Sequence, residues 1–228
     1  MKFILFLEKY YKNASVYLLG AIVFFAISLF VFFAITDEIV LEKETGFDET
    51  IFLFFKNFIV HQRLNEVMNI ITGFSSPKLM MYLFPIIVIS LLVFKLKKES
   101  IFLFISGTGG VLLLYVFKNI FERARPPYPL LHAETGYSFP SGHASFSFIF
   151  YGSLAYLVWV TRFPKYLKIM MMTFLILLSF AIGISRIYLR VHYPSDVIAG
   201  FALGYSWLFL IIFIFKKYSF KKIEKNNK

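Results

Sequence analysis

Lys118-x6-Arg125-Pro126, Pro140-Ser141-Gly142-His143 and Ser185-Arg186-x5-His192-x3-Asp196 are three short polar segments in a chain that is otherwise 59% apolar. Together they supply three cations, two histidines and a carboxylate. A phosphoryl group in transfer spreads negative charge over its equatorial oxygens, so positioned cations and N–H donors are what stabilise it. Arg125 and Arg186 offer planar forks that match two phosphate oxygens, and Lys118 offers a point charge. Taken singly, each cation is better read as a side chain snorkelling from a helix end.

The second segment adds backbone chemistry. Pro140 and Gly142 shape a turn just ahead of an apolar run, so the N–H groups of Gly142 and His143, with the Ser141 hydroxyl, can cradle an anion at a helix N-terminus. Ser141 can also be the N-cap of that helix, and both roles can hold together. In the third segment Asp196 follows His192 by four residues. A carboxylate so placed can accept the proton on one ring nitrogen, which fixes the tautomer and frees the other nitrogen to attack. Pro194 keeps Tyr193 out of helical geometry, so a turn is predicted there rather than continuous helix.

The elements that must position these groups are membrane helices. Only 16% of residues are charged, against about a quarter in soluble domains, and 21% are aromatic. Crossing a hydrocarbon core takes roughly 20 apolar residues. Six runs qualify: Val16–Thr36, Leu79–Leu96, Ile101–Phe121, His143–Val160, Lys168–Ile187 and Val197–Phe215. The fold class expected is all-α, a polytopic six-helix bundle. At 228 residues it forms a single membrane-embedded domain over 1–228, with a basic tail at 216–228. The first run exceeds a signal-peptide core and is read as a retained anchor. No cysteine is present, so neither a disulfide nor a thiolate metal site is available.

Lysine and arginine accumulate on the cytoplasmic side of membrane proteins. One set of helix ends (Lys2 to Lys12, Lys95 to Lys98, Arg162 to Lys168, Lys216 to Lys228) carries fifteen of them against three carboxylates, and the other carries nine against ten. Both termini are therefore expected in the cytoplasm, with all three polar segments on the outer face. The net charge of +11 is then what topology and anionic headgroups select, and no nucleic-acid partner is expected.

The first outer loop, Asp37 to Lys78, is long. Its stretches Thr50–Val60 and Leu64–Thr72 are too short to span and fit a pair of short interfacial helices. They either cap the bundle or frame a lateral opening for a lipid headgroup. Gly107, Gly109 and Gly110 are read as close helix packing, since no Lys-Ser/Thr follows them as a phosphate-binding loop requires. His61, His132, Glu122, Arg123 and Arg190 receive no role.

The three segments, in this order and spacing, resemble the signature of the type 2 phosphatidic acid phosphatase family, which also includes undecaprenyl diphosphate phosphatases, glucose-6-phosphatase and vanadium haloperoxidases. The resemblance covers Lys118 to Asp196 and departs from the pattern at no core position. It implies that His192 is a nucleophile forming a phosphohistidine, that Asp196 orients it, and that His143 protonates the leaving oxygen. Lys118, Arg125, Ser141, Gly142 and Arg186 would bind phosphate. No metal, other cofactor or obligate protein partner is implied. The expected activity is hydrolysis of a lipid phosphate or diphosphate: undecaprenyl diphosphate, phosphatidylglycerophosphate or phosphatidate. A phosphotransferase of the same fold and a non-enzymatic lipid transporter are the alternatives.

Overall fold

The computed structural model describes the backbone of residues 2–226, and side chains at 18–38 and 42–217. The regular structure of the described residues is all helix, with a long loop over 122–141: α1 (Lys2–Ile35), α2 (Gly46–Phe54), α3 (Gln62–Gly73), α4 (Pro77–Val93), α5 (Lys97–Phe121), α6 (Gly142–Val160), α7 (Lys165–Tyr188) and α8 (Pro194–Asn226). A π-helical turn extends α1 over Thr36–Leu41, and another extends α2 over Phe55–Ile59. Six stretches are long and apolar enough to cross a membrane, one of them formed by α3 and α4 together over Gln62–Val93. The six expected spans and the two short loop helices are thus all present. Side chains of the anchor before Leu18 and of the lysine-rich tail after Lys217 lie outside the described residues.

Local signals set the helix boundaries. Ser76 caps α4, accepting from the N–H of Leu79 at 3.3 Å, with Pro77 at the first helical position where a missing N–H costs nothing. Ser141 caps α6 in the same way, accepting from Ala144. Pro194 opens α8, and a turn separates it from α7 as Pro194 predicted. α5 stops at Glu122, whose left-handed backbone (φ 47) closes the helix onto the Lys118 carbonyl.

At the centre stands α6, packed against α5, α7 and α8. Its inward faces carry small and hydroxylated residues: Ser147 meets Ser179 of α7 at 3.1 Å, and Ser145 donates to the Gly200 carbonyl of α8 at 2.8 Å. In a bilayer, where the lipid is as apolar as leucine, close approach of small residues and such hydrogen bonds drive helix association. Gly200 and Gly204 let α8 lie directly on α6: a Cβ on either would stand 2.9 Å from the carbonyl oxygen of Ser141 or Ser145. The α5 glycines do pack closely, Gly107 on Phe84, Gly109 on Trp207 and Gly110 on Ile149. The outward faces are apolar and bare, as at Phe30, Phe94 and Phe174.

Candidate active site

Backbone hydrogen bonds stitch three loops together at one end of the bundle. Ser138 N–H donates to the Arg123 carbonyl at 2.8 Å, and Ser141 N–H to the Asp196 carbonyl at 3.0 Å. Arg125 adds a side-chain tie, its Nη1 donating to the Val191 carbonyl at 2.9 Å. The three loops are therefore tied together by two backbone links and one from the Arg125 side chain.

His192 lies in the turn between α7 and α8, 1% exposed. Its Nδ1 faces Asp196 Oδ2 at 3.4 Å, and its Nε2 faces Arg125 Nη1 at 3.2 Å. A guanidinium can only donate, so Nε2 must be the bare acceptor and the ring proton belongs on Nδ1, toward Asp196. Burial pushes the imidazole pKa down to about 4, against the pull of Asp196. The ring is then neutral near pH 7, with its lone pair on the side that a nucleophile would use.

Asp196 is buried and saturated with donors. Its Oδ2 also accepts from the Ser138 hydroxyl and from the Tyr193 N–H at 2.9 Å, and its Oδ1 accepts from Arg123 Nη1 at 2.6 Å. Arg123 in turn reaches Asp48 in α2 at 2.8 Å and lies over the Tyr193 ring, 4.0 Å from its centroid. Burial works against the Arg123 charge, but Asp196 and Asp48 outweigh it and hold the guanidinium pKa above its ordinary value.

A cavity of about 860 Å³ opens in front of His192. One end is polar, lined by Lys118, Arg125, Glu134, His143 and the backbone of Gly142; the rest is apolar, lined by Met80, Met81, Phe84, Val111, Leu114 and Phe146. Met81 and Val111 are also more than half exposed on the outer surface of the bundle, so the apolar wall is continuous with the face that lipid would cover. The Glu134 carboxylate bridges two cations, meeting Arg125 Nη1 at 3.3 Å and pairing with Arg186 Nη2. Burial alone would raise the Glu134 pKa; the Arg186 charge and hydrogen bond outweigh it and hold it below the usual carboxylate range. Two arginines thus surround one acidic group, beside a neutral imidazole and at the polar end of an apolar cavity.

The family model of the PAP2 superfamily matches residues 99–220, more than half of the chain. The chain belongs to the PAP2 superfamily. Phosphatidylglycerophosphatase B of Bacillus subtilis (strain 168) is 34% identical over 151 residues, which cover 65% of this chain and 73% of that protein. An undecaprenyl-diphosphatase of Sulfolobus acidocaldarius is 37% identical over 143 residues, covering 59% of this chain and 65% of its own length. The crystal structure of a transmembrane PAP2 type phosphatidylglycerolphosphate phosphatase from Bacillus subtilis superimposes with a TM-score of 0.71 at 29% identity, over 86% of this chain and 96% of that one. This PAP2 protein is accordingly a multi-pass membrane phosphatase of the lipid phosphatase type.

Most of the PAP2 signature converges on the cavity, but not all of it faces the cavity directly. Lys118, Arg125, Gly142, His143 and His192 line it. Lys118 Nζ donates to the Tyr137 carbonyl. The Ser141 hydroxyl is turned back to cap α6, Asp196 lies behind His192, and Arg186 lies behind Glu134, held by Thr72 Oγ1 at 2.7 Å. Arg186 Nε has no partner among the described residues and remains a donor to spare.

Two findings depart from the sequence reading, and a third bears on an alternative that it left open. Arg123, left without a role, is a direct ligand of Asp196. Glu134, which carries no motif signal, is the group that bridges the two arginines. The aromatic loop helices do not frame the cavity, whose apolar lining comes from α4, α5 and α6. Phe55 instead packs inward against Tyr188, Leu189 and Val191, because the turn after α7 needs an apolar cover. Of the remaining unassigned residues, His61 caps α3 by accepting from the Arg63 N–H, Glu122 accepts from the Tyr137 hydroxyl, Arg190 lies over Phe52, and His132 is exposed.

Proposed function

We propose that the chain hydrolyses a phosphate monoester or diphosphate of a membrane lipid, with phosphatidylglycerophosphate, undecaprenyl diphosphate and phosphatidate as the substrate classes to test. The lipid's apolar part lies along Met81, Phe84 and Val111 while its phosphate enters between Arg125, Lys118 and the Gly142–His143 backbone. His192 Nε2 attacks the terminal phosphorus, its bond to the leaving oxygen breaks (the lipid alcohol oxygen of a monoester, the bridging oxygen of a diphosphate), and His143 supplies the proton that this oxygen needs to leave. Asp196 keeps the His192 Nδ1 proton in place and stabilises the cation that forms. Water then attacks the phosphohistidine, giving up a proton to His143 and releasing inorganic phosphate.

The observation that carries this reading is the His192 ring itself: Nδ1 on Asp196, Nε2 on Arg125, at the polar end of an apolar cavity. Similarity to the Bacillus and Sulfolobus phosphatases supports the substrate class. The charge asymmetry of the helix ends supports an outward-facing site with cytoplasmic termini.

Two measurements test it. Purified protein should release phosphate from at least one of the three lipids, and His192→Ala and His143→Ala should each abolish release; full turnover by His192→Ala would sink the mechanism. Because the chain has no cysteine, a single His132→Cys label site reports sidedness. Labelling by an impermeant maleimide in intact cells is expected, and protection until lysis would reverse the topology.

A further inference from the structure

Asp48 is a fully buried carboxylate in α2, outside the stretch that matches the family. A buried charge persists only where it is paired and hydrogen-bonded. Asp48 Oδ1 accepts from the Ser195 N–H at 2.8 Å, and its Oδ2 accepts from the Ser195 hydroxyl at 2.7 Å and from Arg123 Nη2 at 2.8 Å. It therefore caps the first turn of α8 from a distant loop and anchors Arg123 in the same contact. Arg123 Nη1 then meets Ser195 Oγ at 2.8 Å and Asp196 Oδ1 at 2.6 Å. One guanidinium is thus clamped between two carboxylates, and the second of them is the partner of His192.

The order of these contacts has a chemical consequence. Asp48 neutralises Arg123, so Asp196 shares its cation and keeps enough basicity on Oδ2 to hold the Nδ1 proton of His192. Without Asp48 the whole positive charge falls on Asp196, weakening it as an acceptor and pulling it toward Arg123. The other groups around Asp196, the Ser138 hydroxyl and the Tyr193 N–H, are neutral donors on the same oxygen as His192 and cannot offset that pull.

We propose that Asp48 is a positioning residue for the phosphoryl-transfer step: acting through Arg123, it sets the orientation of Asp196 from which Asp196 fixes the Nδ1–H tautomer of His192. This rests on His192 being the nucleophile. The first outer loop is then part of the active-site architecture, and its helix α2 does more than cover the bundle.

The test uses the full-length protein in detergent micelles, with histidine labelled by ¹⁵N and the His192 signals assigned by their loss in His192→Gln. In the unmodified protein His192 should show the Nδ1–H tautomer. Asp48→Asn, isosteric but uncharged, should show a tautomer mixture or exchange between tautomers at His192 alone, with the His143 signals unmoved. With dioctanoyl phosphatidate and farnesyl diphosphate as substrates, its kcat should fall by about tenfold to a hundredfold, the order seen when an orienting partner of a histidine is lost, while inhibition by inorganic phosphate stays within about twofold.

The Asp48→Asn and Arg123→Gln losses should not add, because each breaks the same clamp. Should Asp48→Asn fail to fold, Arg123→Lys carries the same expectation, since a single ammonium cannot bridge two carboxylates in that geometry. An unchanged His192 tautomer in a folded variant, or equal loss of kcat and phosphate inhibition, overturns the proposal. Turnover by His192→Ala would instead overturn the nucleophile assignment, and the tautomer measurement, which needs no turnover, separates the two failures.

Discussion

Arg125 touches the nitrogen of His192 that would attack phosphorus, and Glu134 touches Arg125 through that same Nη1. A phosphate oxygen entering the site would take over both contacts. In the proposed mechanism the arginine would serve two stages, keeping the His192 lone pair outward beforehand and binding the anion afterwards.

That relationship fixes the sign of a pH effect. Burial holds the His192 pKa near 4, and the Arg125 charge is one of the contributions that lower it. Below this pKa the ring is protonated and cannot attack, so kcat/KM should fall as pH drops through about 4, while the opposite limb of a bell-shaped profile belongs to His143, which must be protonated to donate. Arg125→Gln removes a positive neighbour, which raises the His192 pKa and moves the acid limb to higher pH. Measuring kcat/KM from pH 3.5 to 8 for both proteins checks this, and an acid limb shifted downward in the variant contradicts it.

Glu134 pairs with Arg125 and Arg186, so in the proposed site it would compete with phosphate for them. Glu134→Gln removes the competing charge, so inorganic phosphate should inhibit more strongly, by about threefold to tenfold, the order of a partly screened ion pair. If the carboxylate's main work is to hold the arginines in place, inhibition weakens instead. Phosphate inhibition constants for the two proteins decide between these outcomes.

Val111→Asn and Met81→Gln put polar groups on the apolar wall of the cavity. Both should raise KM for long-chain lipid phosphates by about tenfold, a cost on the order of burying one unpaired amide, and leave a water-soluble phosphate ester nearly unaffected. Phe54→Ser and Phe58→Ser, on the exposed face of the loop helix, should discriminate much less between the two substrates. Steady-state kinetics on matched long and short esters would show whether the ranking is reversed.

At Gly200 the nearest atom to an added methyl is a backbone carbonyl, which cannot rotate out of the way. Gly200→Ala should destabilise the protein by about 1–3 kcal/mol, the usual cost of overpacking, and reduce kcat as well, because the Ser141–Asp196 contact lies at that crossing. Gly20→Ala, with open space around it, should leave thermal unfolding within about 2 °C of the unmodified protein. Detergent-solubilised thermal melts beside kcat values make the comparison.

The sequence displays groups whose neighbours are set by a short local pattern. His192 and Asp196 share one turn, and Ser141 caps the helix that follows it, so residue type and spacing already point to that geometry. Six apolar runs give six helices for an equally local reason. Arg123 was not visible as an Asp196 ligand because its second partner, Asp48, lies 75 residues away in another helix. Glu134 was hidden for a related reason: a loop carboxylate acquires meaning only when two arginines from different segments fold around it. The one available hint was a single acid between two cation-rich motifs. The aromatic loop helices left two readings open because amphipathic surface looks the same whether it lines an entrance or seals a turn, and Phe55 does the latter.

The cavity joins a polar end formed by Lys118, Arg125 and His143 to an apolar wall at Met81 and Val111 that runs out onto the bundle's surface. Hydrolysis of the proposed substrate yields two products that dissolve in different phases. Inorganic phosphate would depart past Ala133 and Thr135, both exposed, while the dephosphorylated lipid would slide back along the wall it came in by. Neither has to pass the other, so turnover need not wait for a shared exit to clear.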